Sequence, residues 1–216
     1  MTDNETDRVL HLLVGLVVVS GGLCLGWAGL NLPPSPSLVY PAVFATLVTV
    51  ASSCMVRSQI RSQQLITTTS AALLITVLML PAPWAIISAA TGLAVSMAVR
   101  RLAWHKAAFN TAKDTLGVTA AAVSFHLTGL PPITLADTVP DQWWGYLLSL
   151  GLAAAAYAIV DIVLATRVIS LASRVSWRGM LAHNVWVEVP VRLANLGVAA
   201  ATIALHEVDP RLLTVT

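Results

Sequence analysis

The residues of this sequence that could do chemistry are ionisable and amide side chains set inside long apolar stretches. Asn110 precedes Lys113 by three residues and Asp114 by four, so all three lie on roughly one side of a helix. Asp161 is a single acid in a separate apolar stretch. Because an ionisable group inside a membrane span is costly, each of these groups is by default a candidate functional residue.

A second polar stripe follows farther along the chain. Asn184, Glu188 and Arg192 repeat every four residues, and Asn195 comes three residues later. Pro190 suits the first turn of a helix, so we expect Glu188 at the inner mouth of a helix that begins there. At a rise of about 1.5 Å per residue, the ionisable groups of both stripes and Asp161 fall in the cytoplasmic third of the membrane.

The charges of this group nearly cancel, since Lys113 and Arg192 face three acids. The group could be a neutralised network that locks helix packing, an ion or proton path, a ligand pocket, or a joint between moving helices. A path should carry polar groups through the whole thickness, but the outer half offers only His126 and Thr128. The candidate ligand-binding or signal-coupling residues are Asn110, Lys113, Asp114, Asp161, Glu188, Arg192 and Asn195.

The sequence lacks the motifs of soluble enzymes. It has no H-E-x-x-H, P-loop, G-x-S-x-G or C-x-x-C pattern. Cys24 and Cys54 are too few and too far apart for a disulfide framework or a metal site. We therefore predict no catalytic residue, no metal and no cofactor, and the net charge of +2 gives no reason to expect a nucleic-acid partner.

Composition sets the kind of element that must position these residues. The chain is 57% hydrophobic and 10% charged, whereas soluble domains carry about 25% charged residues. We predict an all-α fold, a polytopic transmembrane bundle of about seven spans behind a cytoplasmic tail at 1–8. The spans are expected near 9–30, 38–56, 64–80, 83–99, 107–128, 143–166 and 190–206.

Basic residues fix the expected orientation. Lys and Arg occur in the loops after the second, fourth and sixth segments, while the alternate loops at 31–37, 81–83 and 129–142 have none. This positive-inside pattern predicts a cytoplasmic amino terminus in a bacterial inner membrane, with the Pro-rich tips outside. Seven spans would leave the carboxyl terminus outside, and residues 209–216 resemble the start of an eighth.

Part of the sequence resembles a family of bacterial signalling proteins. The run Phe109–Gly117, followed by three alanines and Leu127-Thr128-Gly129, resembles the N-terminal membrane domains of actinobacterial proteins with GGDEF diguanylate cyclase or HD-type phosphohydrolase output domains. Leu78–Pro81 and the sequence from Trp186 through Pro190 to Leu196-Gly197 also fit, so the resemblance covers about 60–216. Lys113-Asp114 is more charged than the pattern, and no output domain follows.

The resemblance implies an integral-membrane sensory or regulatory domain that is not itself catalytic. Its expected partners are the lipid bilayer, a cytoplasmic output domain or partner protein, and a second copy of the chain. One alternative is a small transporter or the substrate-binding membrane subunit of an uptake system. Another is a membrane enzyme acting on lipid headgroups, with Asp114, Asp161 or Glu188 as a base or metal ligand.

Overall fold

The computed structural model of the chain describes residues 3–34, 37–58, 64–133 and 143–208. In these ranges the chain is predominantly helical, as predicted, with one short β-hairpin. The elements, in chain order, are α1 (Asp3–Leu30), α2 (Val39–Ser53), β1 (Met55–Ser58), β2 (Gln64–Thr67), α3 (Thr69–Met79), α4 (Ala82–Val99), α5 (Trp104–His126), α6 (Trp143–Ser173) and α7 (Trp177–Val208).

Three helices in the described ranges are long and apolar enough to cross a membrane: Glu5–Leu30 within α1, and the whole of α4 and α6. The chain therefore has the character of a membrane protein, but fewer helices meet these criteria than the seven expected. Helices α2 and α3 have 15 and 11 residues. They are about 22 and 16 Å long, which is short of a hydrocarbon core of about 30 Å. Helices α5 and α7 are long enough but carry the charged residues.

The β-hairpin shortens two of the predicted segments. Strands β1 and β2 pair antiparallel, with Met55 opposite Thr67. As a result, the segment expected at 38–56 is helical only to Ser53, and the one expected at 64–80 becomes helical only at Thr69. β-branched residues such as Val56 and Ile66 favour extended backbone, a preference that an apolar count cannot detect.

Three other helices are longer than predicted. The expected tail at 1–8 is helical from Asp3, and α6 continues past 166 to Ser173. The expected helix start at 190 is wrong, because α7 begins at Trp177 and Pro190 lies in its interior. Glu and Arg have good helix propensity, so a rise in polarity need not end a helix.

Helix α5 lies at the centre of the bundle and packs against α1, α3, α4 and α6. Small residues allow the closest approaches between helices, as is usual where helices meet in lipid. A Cβ at Gly92 of α4 would lie 2.4 Å from the carbonyl oxygen of Ala45 in α2. A Cβ at Gly21 of α1 would lie 2.8 Å from Cβ of Ala112 in α5.

Hydrogen bonds from aromatic residues join the loops at one end of the bundle. The indole N–H of Trp84, at the start of α4, donates to the carbonyl oxygen of Pro33 at 3.1 Å. The hydroxyl of Tyr146, in the first turn of α6, donates to the carbonyl oxygen of Pro131 at 3.1 Å. The loop after α1 thus meets the start of α4, and the loop after α5 meets the start of α6.

Candidate functional site

Asp161 of α6 is the centre of an ion-pair network that joins three helices. Its Oδ1 accepts a hydrogen bond from Nζ of Lys113 on α5, and its Oδ2 accepts one from Nη2 of Arg192 on α7. Asp161 is only 8% exposed. A buried carboxylate is tolerated where cations and hydrogen bonds compensate it, and here each oxygen has its own cation.

Each cation also pairs with a second acid on its own helix. Lys113 Nζ lies 2.9 Å from Oδ1 of Asp114, and Arg192 Nη2 lies 3.2 Å from Oε2 of Glu188. The five side chains therefore form a line in which acids and bases alternate. We call this set the ionic network: Asp114, Lys113, Asp161, Arg192 and Glu188.

Tyr157 of α6 contacts two members of the ionic network. Its hydroxyl donates to Oδ1 of Asp114 at 3.2 Å, and the guanidinium carbon of Arg192 lies 5.6 Å from its ring centroid. That distance is within the range of a cation–π contact. Gly117 of α5 leaves space for the ring, since a Cβ there would lie 2.7 Å from Cδ2 of Tyr157. Sequence reasoning missed Tyr157, although it precedes Asp161 by one helical turn.

The structure describes the side chains of two of the amides singled out in the sequence, Asn195 and Asn110. Asn195 of α7 is buried, and its Nδ2 donates to Oγ of Ser70 in the first turn of α3 at 2.6 Å. Asn110 is half-buried on α5, and none of the described hydrogen bonds links its side chain to the five charged residues. The side chain of Asn184 lies outside the described part of the chain.

Exposure differs along the ionic network. The side chains of Lys113, Asp114 and Asp161 are 11–12% exposed and that of Arg192 is 16% exposed, whereas that of Glu188 is 42% exposed. One end of the network is thus open and the other closed. The buried Nε of Arg192 has no hydrogen-bond partner among the described residues.

The ionic network lies well inside the bundle. At a rise of 1.5 Å per residue, Lys113 is about 14 Å beyond Trp104, and Asp161 is about 18 Å before Ser173. On the same scale Arg192 is about 22 Å beyond Trp177, so the expectation that Glu188 sits at the mouth of its helix is wrong.

The arrangement is suited to holding helices in a defined pairing rather than to binding a metal. Both buried acids already contact cations. In the part of the chain that the structure describes, no three His, Cys, Asp or Glu residues are grouped so that they could hold a metal ion. Comparison with known proteins finds no match among family models, curated proteins or solved structures.

Proposed function

We propose that this chain is a multi-pass sensory or regulatory domain of a bacterial inner membrane, with a cytoplasmic amino terminus, in which the ionic network couples moving helices. The observation that carries the proposal is the alternation of acids and bases across α5, α6 and α7. Such a set of charges has a few discrete pairings, which is the property a two-state element needs.

The pairings available to the two cations support a switch. Lys113 can keep Asp114, and Arg192 can keep Glu188, if either helix moves away from Asp161 of α6. A cation that leaves one partner and keeps another avoids most of the penalty of an uncompensated buried charge. Movement of α5 or α7 relative to α6 is therefore less costly than for a simple ion pair.

Pro190 gives α7 a weak point beside the ionic network. It lies between Glu188 and Arg192 in the interior of the helix. Proline has no backbone N–H, so the carbonyl oxygen of Trp186 lacks its usual helical donor. Interruptions of this kind are the usual origin of bends in long helices.

The charges on α5 and α7 do not prevent either helix from crossing the bilayer. These helices have 23 and 32 residues, and four of their charged residues, Lys113, Asp114, Glu188 and Arg192, are paired within the bundle. Helices α2 and α3, with the β-hairpin between them, form a short helical pair between α1 and α4. The start of α2 at Val39 and the end of α3 at Met79 both adjoin loops at the same end of the bundle. The orientation of the other helices is therefore the same whether or not α2 and α3 cross the whole bilayer.

The two alternative functions have less support. The ionic network lies at one level of the bundle and does not form a line of polar groups along it, which argues against an ion path. The contacts of Asp114 and Asp161 with cations argue against their use as a free base or as metal ligands in a membrane enzyme.

Distances between spin labels in lipid nanodiscs test the proposal. Labels at Val99→Cys on α4 and Val185→Cys on α7, in a chain whose native cysteines are serine, report the position of α7 relative to a helix outside the ionic network. Both positions are exposed. We expect two distance populations in the unsubstituted network, and Asp161→Asn should shift the weight between the same two distances.

Thr119→Val is the matched control, because the Thr119 hydroxyl donates only within α5, to the carbonyl oxygen of Thr115 at 2.8 Å. It should leave both populations unchanged. A single distance that Asp161→Asn does not alter would mean that the network only locks packing. A pH-sensitive dye inside vesicles tests the transport hypothesis. Proton flux that Asp161→Asn abolishes would indicate a proton path.

A further inference from the structure

We propose that a cavity between α1, α4 and α5 binds one acyl chain of an anionic phospholipid, whose headgroup is held by Arg101 and Lys106. The inference rests on the membrane location proposed above and is independent of the sensory role. The cavity lies on the side of α5 that faces α1 and α4, whereas the ionic network joins α5 to α6 and α7.

The cavity has the size and lining of a hydrocarbon site. Its volume is about 410 Å³, within the range of about 300–1,000 Å³ typical of small-molecule pockets. Small side chains from three helices line it, among them Gly21 of α1, Ala98 of α4 and Ala108 of α5. Gly22 and Ala94 also line it and are exposed, so the cavity opens sideways to the surroundings of the bundle.

The lining offers little to a polar ligand. Only Thr111 and Thr115 among the lining residues are polar. The Thr115 hydroxyl already donates to the carbonyl oxygen of Thr111 within α5, at 2.7 Å. None of the described residues that line the cavity is charged, so its walls suit an alkyl chain, which needs no hydrogen bonds.

Two basic residues lie next to lining residues at one end of the cavity: Arg101 in the loop between α4 and α5, and Lys106 in the first turn of α5. Leu102 and Ala107 line the cavity, and each is directly preceded by an exposed basic residue, Arg101 or Lys106. Basic pockets between membrane helices on the cytoplasmic side are suited to anionic lipid headgroups. The nearest acid of α1, Asp7, precedes its first lining residue by about 16 Å along the helix.

The backbone of Arg101 is a second sign that its cationic side chain matters. Its φ is 52°, in the left-handed region. It follows the last turn of α4, where its N–H donates to Ala98 O at 3.0 Å and the N–H of Leu102 donates to Met97 O at 3.2 Å. Glycine is the usual residue at this position of a helix end because it has no Cβ. An arginine here adopts a conformation that glycine would adopt more easily, which points to a role for the side chain.

Native mass spectrometry of the purified chain tests the headgroup. The chain, in detergent, is offered equal amounts of phosphatidylglycerol and phosphatidylcholine with identical acyl chains. We expect one phosphatidylglycerol retained with about thirtyfold preference, from about 1 kcal/mol for each of the two basic groups. Arg101→Gly with Lys106→Gln should remove the preference, and glycine suits the backbone, so the fold should persist. Equal retention of the two lipids by the unsubstituted chain would overturn the proposal.

A second pair of variants tests the acyl chain. Ala98→Phe should fill the cavity and abolish retention of both lipids. Ala155→Phe is the control, because Ala155 is exposed on α6 and does not line the cavity. Unchanged retention by Ala98→Phe would contradict the proposal. Full displacement of the lipid by excess glycerol phosphate would also contradict it, because that result would mean a site for soluble phosphate alone.

Discussion

Asp161 compensates the charge of both buried cations of the ionic network. Its two carboxylate oxygens bind cations from two different helices, Lys113 on α5 and Arg192 on α7. Each of those cations has only one further acid within contact distance among the described residues, Asp114 or Glu188. Removal of the Asp161 charge would therefore leave both cations partly uncompensated.

We expect Asp161→Asn to lower the free energy of unfolding by about 3 kcal/mol, the usual effect of breaking a buried ion pair. Glu188→Gln is the matched control. The Glu188 side chain is 42% exposed, so its loss should cost less than about 1 kcal/mol. Unfolding by denaturing detergent in mixed micelles measures both values, and equal losses for the two variants would contradict this ranking.

The sequence was sufficient to identify the charged residues but not their partners. The cost of an ionisable side chain in an apolar stretch singles out Asp161 and Lys113 without any structure. Helical spacing places Glu188 and Arg192 on one face, but it cannot say which helices are neighbours. Tyr157 was missed for a related reason, because a tyrosine in an apolar stretch is equally consistent with ordinary packing.

At the scale of elements, the contact between α5 and α6 sets the geometry of the ionic network. Gly117 of α5 lies against the ring of Tyr157, and that ring carries the hydroxyl bound to Asp114. Both residues are buried, so the ring has little freedom to move aside. The spacing between these two helices thus depends on the absence of a single methyl group.

Gly117→Ala should reduce stability by about 1–3 kcal/mol, the usual cost of overpacking a filled core. The comparison is Gly151→Ala on α6, where a Cβ would meet nothing within 4 Å. Alanine is the better helix former by about 1 kcal/mol, so that variant should be neutral or more stable. Thermal unfolding of both variants in the same lipid would measure the difference; a neutral Gly117→Ala would show that the Tyr157 ring can shift.

Element boundaries were the least predictable part of the fold. Pro190 is an acceptable first residue of a helix, but in α7 it lies in the interior. Proline is tolerated there in membrane helices because neighbouring groups can satisfy the freed backbone. Residues 55–56 and 64–67 were expected to belong to two apolar segments, yet they lie in paired strands. Local propensity and burial were in conflict at these places, and composition alone could not decide between them.

At the scale of the whole molecule, charge and aromatic residues divide the bundle into two ends. Trp84 and Tyr146 join the loops at one end. At the other end lie the basic loop between α4 and α5 and Arg167, whose guanidinium carbon is 6.0 Å from the Trp177 ring centroid. The basic end is the one that the positive-inside rule assigns to the cytoplasm.

Single cysteines on intact cells test this orientation. In a chain with Cys24→Ser and Cys54→Ser, a membrane-impermeant maleimide should label Thr128→Cys, in the loop after α5, but not Ser173→Cys, at the end of α6. Both positions are exposed. Permeabilised cells provide the control, because both cysteines should then react. The reverse pattern on intact cells would invert the proposed topology.

The pairs within α5 and within α7 have a consequence for how the chain enters the membrane during synthesis. Lys113 lies 2.9 Å from Asp114, and Arg192 lies 3.2 Å from Glu188, so each helix brings both signs of charge with it. Asp161 lacks such a companion within contact distance on α6, but that helix contains an 18-residue stretch with a mean hydropathy of 2.2. When helices insert singly and associate afterwards, each helix must only be stable in the lipid bilayer by itself at first. The translocon could therefore release these three helices in turn, and Asp161 would gain its second cation only once α7, the last of them to be made, had arrived.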